Sequence, residues 1–408
     1  MQLCSELLHQ GSAKLQLQPA IRHARYPSWT GRPHDWGEAW QGIASLVWQV
    51  GARQEPVVAT KIRWVGSAVR AVDLFAGAGG ATAGLRQAGI SVIGAVENDA
   101  YACQSYQANH PDVLLKQIDI RQLDPDAFRR ELGLRRGSLE LLKACPPCQG
   151  FSTLASGDID EERNDLVLDV ANFVFAFRPR VILLENVPGL ARDNRLPKLL
   201  ATLEAVGYRF KQYKVNAADL GVPQRRKRLI IIGASRAVRR RLPEKITDLI
   251  PERFELTETT VKEAFDLLRK SEIRDDPLDR YRQNSPQVAA RIAAVPVNGS
   301  RFDLPPDLQL DCHRRVTGRT ATASYGRIRL DAPAPTMTTR CTTPACGSFI
   351  HPTEHRGITL REAAVLQTFP LTYRFMGHYG SIEQQIGNAV PVRMAAALGE
   401  VVRAILGR

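Results

Sequence analysis

Short apolar runs of strand length recur along the chain from Val69 onward. Val72-Asp73-Leu74-Phe75 opens the series, Val92 to Val96 follows, and a third run ends in Gln117-Ile118-Asp119-Ile120. Residues 139–144 make a fourth and Val181-Ile182-Leu183-Leu184 a fifth. Tyr213-Lys214-Val215 and Leu229 to Gly233 are further strand candidates. Runs that are apolar throughout, rather than alternating, belong to strands covered on both faces, as in parallel sheets. Helical stretches lie between them: 81–88 closed by Gly89, 101–109 stopped by Pro111, and 166–177 ended by Pro179. This alternation predicts an α/β fold. Open sheets of this kind bind ligands beyond the carboxyl ends of their strands, which directs attention to the residues just after each run.

After the first run comes Ala76-Gly77-Ala78-Gly79-Gly80. Glycines permit a tight turn and let a ligand approach the backbone. The second run ends in Glu97-Asn98-Asp99, about 20 positions past the turn, where a carboxylate can accept hydrogen bonds from ribose hydroxyls. Together these predict a nucleoside-binding half-fold. No lysine followed by serine or threonine comes after the loop, which argues against a nucleoside triphosphate. Asp119 admits two readings, a contact to an adenine amino group or the N-cap of the next helix.

The fourth run leads into Ala144-Cys145-Pro146-Pro147-Cys148-Gln149-Gly150-Phe151-Ser152. Proline locks φ and cannot continue a ladder, so the strand must end there. Cys148 is then a candidate nucleophile on a rigid turn, with a buried structural cysteine as the alternative. Ser156 to Asp165 is polar and reads as a loop that closes on substrate. Glu185, in Glu185-Asn186-Val187-Pro188, should emerge at the same sheet edge, because one crossover helix separates its strand from that of Cys148. Gln224-Arg225-Arg226-Lys227-Arg228 enters an apolar strand. Alternate strand residues face opposite ways, so Arg226 and Arg228 share a face; a charge-shielded edge strand is the competing reading.

The 408 residues suit two domains plus an extension. All five tryptophans precede residue 69. That part lacks a sustained period, apart from one short amphipathic stretch at 35–50, and reads as an N-terminal extension. From Ser235 to about Thr320 the α/β rhythm is lost, which predicts a less regular second domain. Its end is rich in arginine, threonine and glycine, and Arg314, Arg315 and Arg319 can grip guanine edges. The net charge of +13 suits a polyanionic partner. Seven irregularly spaced cysteines argue against a disulfide framework and for a reducing compartment. No apolar run of about eighteen residues and no signal pattern are present, so a cytoplasmic protein is expected. Cys341, Cys346, His351 and His355 have a zinc-like order, but no second tight pair supports it and no metal is expected. Thr359 should cap a helix at Leu360 to Gln367. Gln385 to Val392, with Asn388, opens a last helix from Met394 to Leu406 that returns to the first domain.

In order and spacing these stretches resemble the C5-cytosine DNA methyltransferase family, from about Ala71 to the C-terminus. The matching segments are Asp73 to Gly80, Pro146 to Ser152, Glu185-Asn186-Val187, Gln224 to Arg228, Arg361 to Pro370 and Gln385 to Pro391. The resemblance implies a Rossmann-like class I methyltransferase domain (70–234 plus 357–408) and a smaller irregular target-recognition domain with its connection (235–356). It implies S-adenosylmethionine as cofactor, held by Asp73, Phe75, Gly77, Gly79, Gly80, Glu97, Asn98, Asp119, Ile120, Pro147, Asn388, Ala389 and Val390. Phe75 would stack on adenine, Glu97 bind ribose, and Asp119 with Ile120 recognise adenine. Cys148 would attack C6 of a flipped-out cytosine, Glu185 would stabilise N3 in protonated form, and Arg226 and Arg228 would orient the base carbonyl and a phosphate. Gln149, Ser152, Arg163, Arg314, Arg315 and Arg319 would contact duplex DNA. A monomer is expected, with any cognate restriction endonuclease acting separately.

The family usually has small residues such as Gly-Gly where this chain has Ala144-Cys145, and Cys145 is expected to face the core. Two other readings compete: a tRNA cytosine-5 methyltransferase, and a DNA-binding module without catalysis. The irregular segment before Thr320 favours DNA. Intact Cys148, Glu185 and Arg228 speak against lost catalysis.

Overall fold

A computed structural model describes residues 69–147, 161–254, 256–271, 273, 275–314 and 323–408. The expectations for residues 1–68, for Cys148, Gln149 and Ser152, for the loop up to residue 160, and for Arg315 and Arg319 lie outside the described residues, as does the side chain of Arg163.

Strand and helix alternate as β1 (Val69–Leu74), α1 (Gly80–Gln87), β2 (Ile90–Glu97), α2 (Ala100–Asn109), β3 (Leu114–Gln117), α3 (Pro125–Glu131), β4 (Leu141–Ala144), α4 (Glu161–Phe177), β5 (Val181–Asn186) and α5 (Arg195–Ala205). Strands β6 (Arg209–Asn216) and β7 (Lys227–Ala234) follow. All seven form one sheet in the order β3-β2-β1-β4-β5-β7-β6. Only β7 runs antiparallel to its neighbours. The chain starts at β1, works outward to β3 and returns to β4, so the strand order reverses between β1 and β4. A crevice opens at such a reversal. Here it lies between the glycine turn after β1 and the double proline after β4.

Both faces of the sheet are covered, as the uniformly apolar runs require. Ala71, Leu141, Val181, Leu183, Ile230 and Ile232 pack against Met394, Leu398, Val401 and Ile405 of the C-terminal helix. Val72, Leu142, Ile182, Leu184 and Ile231 meet Val170, Phe173, Val174 and Phe177 of α4. Burying each such large side chain contributes roughly 1.5–3 kcal/mol. Edge strand β6 is half-exposed and carries Arg209, Lys211 and Lys214, charges that discourage pairing with another chain.

After β7 the regular alternation ends. Helices α6 (Val261–Lys270) and α7 (Pro286–Ala294) and a single turn, Asp311–Arg314, are linked by irregular chain. Helices α8 (Leu360–Leu366), α9 (Tyr379–Asn388) and α10 (Val392–Leu406) close the fold. Thr359 caps α8 as expected: Glu362 N donates to its Oγ1 (3.1 Å) and Thr359 N donates back to Glu362 Oε2 (2.7 Å). One apolar cluster joins Val261 and Phe265 to Met337, Phe349, Leu360 and Ile386, so the irregular segment packs directly on α8 and α9.

Two expected boundaries move. Helix α4 begins at Glu161, inside the polar stretch expected to be loop, so 161–165 are its first residues. Gln385 to Asn388 is the last turn of α9 rather than the opening of the final helix, which starts after Pro391. Three of the four zinc-spaced residues have separate partners, and the fourth, Cys346, is exposed. Cys341 is fully buried with its sulfur towards Glu383 O, His351 Nδ1 accepts from Thr353 N and Glu354 N, and His355 Nδ1 meets Arg327 Nη2 at 3.0 Å. Among the described residues no helix is long and apolar enough to cross a membrane.

Candidate active site

The glycine turn is shaped from both sides. Phe75, half-buried, has φ 56 although it is not glycine, a conformation that side chains rarely adopt and that clusters at functional sites. Gly77 N donates to Glu97 Oε2 (2.7 Å), and Asn98 N and Asp99 N donate to Oε1 (2.8 and 2.9 Å). Glu97 is thus fixed at the end of β2 by three backbone groups. A Cβ on Gly77 would meet nothing within 4 Å, whereas one on Gly80 would stand 2.9 Å from Val390 O. The loop is open on one side and packed against the turn before α10 on the other. Its carbonyls are held by two residues that sequence reasoning missed. Tyr373 Oη donates to Ala78 O (2.7 Å), and His110 Nε2 lies 3.2 Å from Gly79 O and 3.0 Å from Tyr373 Oη. Burial, and then Arg86, push the His110 pKa down to about 4. An isolated histidine at the end of α2 gives no sequence signal of that role.

The other expected cofactor residues divide. Asn98 and Asn388 are exposed, Pro147 and Ala389 are half-buried, and Ile120 and Val390 are buried. Asp119 caps the short turn after β3, its Oδ1 accepting from Arg121 N (3.0 Å), and its carboxylate pairs with the Arg121 guanidinium. The capping alternative is therefore realised, and Arg121 already occupies the carboxylate. The Arg121 contacts, first by hydrogen bonding, hold the Asp119 pKa below its usual value. Asp73 requires correction as a cofactor contact. It is wholly buried, with Oδ1 2.8 Å from Lys143 Nζ and Oδ2 accepting from Thr82 Oγ1 (2.9 Å). Burial alone would lower the Lys143 pKa, but Asp73, Cys145 and Glu185 together outweigh it and the ammonium is held above its usual value.

A second group gathers at the ends of β4, β5 and β7. Glu185 is 4% exposed. Its Oε1 lies 2.8 Å from Arg228 Nε, and the Cys145 thiol donates to Oε2 at 2.6 Å. Cys145 is half-buried and points at the carboxylate, so the expectation that it faces the core fails. Register explains this: Ala144 lies opposite Leu184, so the next positions are Cys145 and Glu185. Asn186, also missed, donates from Nδ2 to Pro146 O (3.1 Å) and accepts from Val187 N (2.7 Å). It ties the end of β5 to the double-proline turn.

Arg226 and Arg228 share a face, with Arg225 and Lys227 exposed on the other. Arg226 is buried and donates to Met337 O (2.7 Å) and Gly387 O (3.1 Å). Its terminal nitrogens are thus taken by carbonyls, where a contact to the base carbonyl or a phosphate was expected. Burial, and then Arg228, push its pKa down to about 9. Gln224 and Gln367 extend the same joint. Gln224 Nε2 donates to Gln367 Oε1 (2.8 Å), Met337 N donates to Gln224 Oε1 (2.8 Å), and Gln367 Nε2 donates to Ile386 O (2.6 Å). Of the expected DNA contacts, only the side chain of Arg314 is described. It is exposed at the end of its turn and pairs with Asp311 at 3.3 Å.

A sheet of this order, a glycine turn gripped by a strand-end carboxylate, and a buried Glu–Arg pair beside a double-proline turn agree with a family model described as C-5 cytosine-specific DNA methylase, which matches residues 69–404. The chain belongs to that family. It is 35% identical over 345 residues to the type II methyltransferase M.PspPI of Psychrobacter sp., covering 81% of this chain and 78% of that protein. It is 29% identical to the type II methylase M.HgiDII of Herpetosiphon aurantiacus, covering 82% and 95%. Among solved structures, a putative DNA modification methyltransferase encoded within an E. coli prophage superposes with TM-score 0.61 at 25% identity, covering 84% and 100%. The Dnmt2 methyltransferase of S. pombe shares the fold at TM-score 0.53 and 18% identity, covering 83% and 100%. This member of the C-5 cytosine methylase family is therefore a DNA cytosine methyltransferase that uses a methyl donor and acts on DNA.

Proposed function

We propose that the enzyme methylates C5 of a flipped-out cytosine in a specific duplex sequence, through a transient bond from Cys148 and with S-adenosylmethionine as donor. The observation that carries this is the Glu185 carboxylate, buried and held by Arg228 and Cys145, with Asn186 binding the turn that leads to Cys148.

The residues present suit the donor. Glu97 is oriented by three backbone N–H groups and keeps one lone pair, on Oε2, for a ribose hydroxyl. The open side of Gly77 leaves room for a ligand against the loop, and Phe75, Ile120 and Val390 offer apolar surface. We assign cofactor binding to these, with Gly79, Gly80, Asn98, Asp119, Pro147, Asn388 and Ala389 around them. S-adenosylmethionine would supply an electrophilic methyl group on its sulfonium.

Cytosine C5 is a poor nucleophile. The Cys148 thiolate adds to C6, forming an S–C6 bond, and this makes C5 enamine-like. Negative charge develops at N3 as C6 is attacked, and Glu185 shares a proton with N3 to offset it. Once C5 has taken the methyl group, which S-adenosylmethionine would supply with its sulfonium leaving as a neutral thioether, loss of the C5 proton expels the thiolate, breaks the S–C6 bond and restores the ring. Arg228 fixes the carboxylate. Arg226 braces the residue 337 and 387 backbones against the site. The base is unreachable in a duplex and must leave the stack. We assign 70–234 and 357–408 to catalysis, 235–356 to target recognition, and the work to a monomer in the cytoplasm, separate from any cognate endonuclease.

Tritiated methyl transfer to duplex DNA and to tRNA, for wild type and Cys148→Ser, tests the reading. Label on DNA that disappears in the variant is expected. Label on tRNA alone, or undiminished label in Cys148→Ser, overturns it. Glu185→Gln should cut turnover by about 10²–10⁴-fold with little change in donor binding; equal loss of both removes the assigned role.

A further inference from the structure

The segment Met337 to Thr343 is fixed at both ends and exposed between them. At one end Met337 N donates to Gln224 Oε1, and Met337 O accepts from Arg226. Thr338 O lies so close to Gly387 that a Cβ there would stand 1.9 Å away. At the other end Thr342 N, Thr342 Oγ1 and Thr343 Oγ1 donate to Glu383 Oε1 at 2.8, 2.6 and 3.1 Å, and Cys341 is fully buried. Thr339 and Arg340 between them are exposed. The Arg340 backbone is engaged, N donating to Thr338 Oγ1 (3.4 Å) and O accepting from Thr343 N (3.1 Å). Among the described residues no acceptor meets its guanidinium.

Across a cleft stands Arg282. Its Nη2 donates to Glu383 Oε2 (2.8 Å) and its guanidinium lies 5.2 Å from the Tyr379 ring centre. Its Nε is buried without an acceptor. Gly380, in the first turn of α9, also lines the cleft, and the amino end of that helix adds positive potential. The one carboxylate present, Glu383, is 1% exposed and already accepts from Thr342, Thr343 and Arg282. Two guanidiniums therefore face one spent acidic group.

We propose that this cleft takes a backbone phosphate of the substrate DNA, with Arg340 as the direct contact and Arg282 and the Thr339 hydroxyl completing it. The proposal rests on the DNA reading above. Arginine's planar fork matches two phosphate oxygens. A loop already fixed at both ends loses little freedom on binding. The same anchors, Arg226 and Gly387, tie the loop to the strand that carries Arg228 and so to Glu185. A phosphate held here would set the register of the strand relative to the carboxylate without touching a base.

The test is binding of mixed-sequence duplex DNA to the full chain across a salt series, for wild type, Arg340→Ala, Arg340→Lys and Arg209→Ala. Arg209 is exposed at the start of edge strand β6 and removes the same charge elsewhere. Arg340→Ala should flatten the slope of log K against log salt by about 0.9, the value for one phosphate contact. Arg340→Lys should keep most of the slope and Arg209→Ala all of it. In methyl transfer, KM for DNA should rise in Arg340→Ala while kcat holds. An unchanged slope in Arg340→Ala, equal flattening in Arg209→Ala, or a change seen with tRNA but not with duplex DNA overturns the site. Wild type that methylates DNA while Arg340→Ala binds like it leaves the methyltransferase reading intact; wild type that transfers no methyl to DNA removes that reading itself.

Discussion

The Cys145 thiol donates to Oε2 of Glu185, while Arg228 Nε stands at Oε1. Both oxygens of the proposed catalytic carboxylate are thus held before any base arrives. The sulfur contact comes from the position where the family usually has a residue without a side-chain donor. A serine there keeps a donor; a valine removes it and adds bulk. Losing one hydrogen bond to a charged acceptor costs about 1.5–3 kcal/mol. Cys145→Ser is therefore expected to keep kcat within about threefold, and Cys145→Val to lower it by at least about tenfold, with donor Kd unchanged in both. Steady-state kinetics with duplex DNA, alongside calorimetric donor binding, checks this. Wild-type turnover in Cys145→Val would show that the thiol does not hold Glu185.

Asp73 and Lys143 sit opposite each other on β1 and β4, buried and 2.8 Å apart. Removing one partner of a buried pair leaves an uncompensated charge and costs about 3–5 kcal/mol. Asp73→Asn should lose stability on that scale in urea unfolding, while its folded fraction binds the donor as wild type does. Asp73→Leu combined with Lys143→Met should recover part of the loss, because no lone charge remains. Weakened donor binding at unchanged stability would restore Asp73 to the cofactor site.

The strands and the crevice were legible because they depend on local pattern. Uniformly apolar runs announced a covered sheet, and two prolines announced the end of β4. Glu97 and Glu185 were found because each directly follows such a run. What failed depended on partners distant in sequence. Asp73 passes for a cofactor contact by resemblance until Lys143, on a strand it pairs with from a different part of the chain, claims it. Cys145 looks like a core thiol until β4–β5 register sets it beside Glu185. His110 and Tyr373 have no motif at all; they meet beneath the glycine turn only because α2 and the chain after α8 converge there. Arg226 was assigned to the correct face, but its carbonyl partners lie at 337 and 387, beyond the reach of strand periodicity.

Gly387 is a position where space, not conformation, demands glycine. An added Cβ would meet Thr338 O at 1.9 Å, and both sides of that contact are backbone. The clash would push apart the two carbonyls that Arg226 joins. Overpacking of this kind costs roughly 1–3 kcal/mol. Gly387→Ala should lower the thermal midpoint accordingly and reduce methyl transfer beyond what the unfolded fraction explains, because Arg226 loses its brace. A variant with wild-type midpoint and turnover would show that the contact relaxes without consequence.

His110 makes the glycine turn sensitive to acid. Burial holds its pKa at about 4, against an ordinary value of 6.5. Above 6.5 the ring is neutral in both folded and unfolded chains, and the contribution to stability is fully present. As pH falls from 6.5 towards 4, the unfolded chain binds a proton that the folded one refuses, so stability declines through that window. Below about 4 both states are protonated and the decline from this group ends. The whole difference corresponds to roughly 3 kcal/mol. His110→Gln cannot titrate but can still donate towards Gly79 O. Urea unfolding across the window should show a shallower fall for His110→Gln than for wild type, by up to that amount at the acid end. Parallel curves for the two proteins would mean that the buried ring accepts its proton as readily as the unfolded chain does.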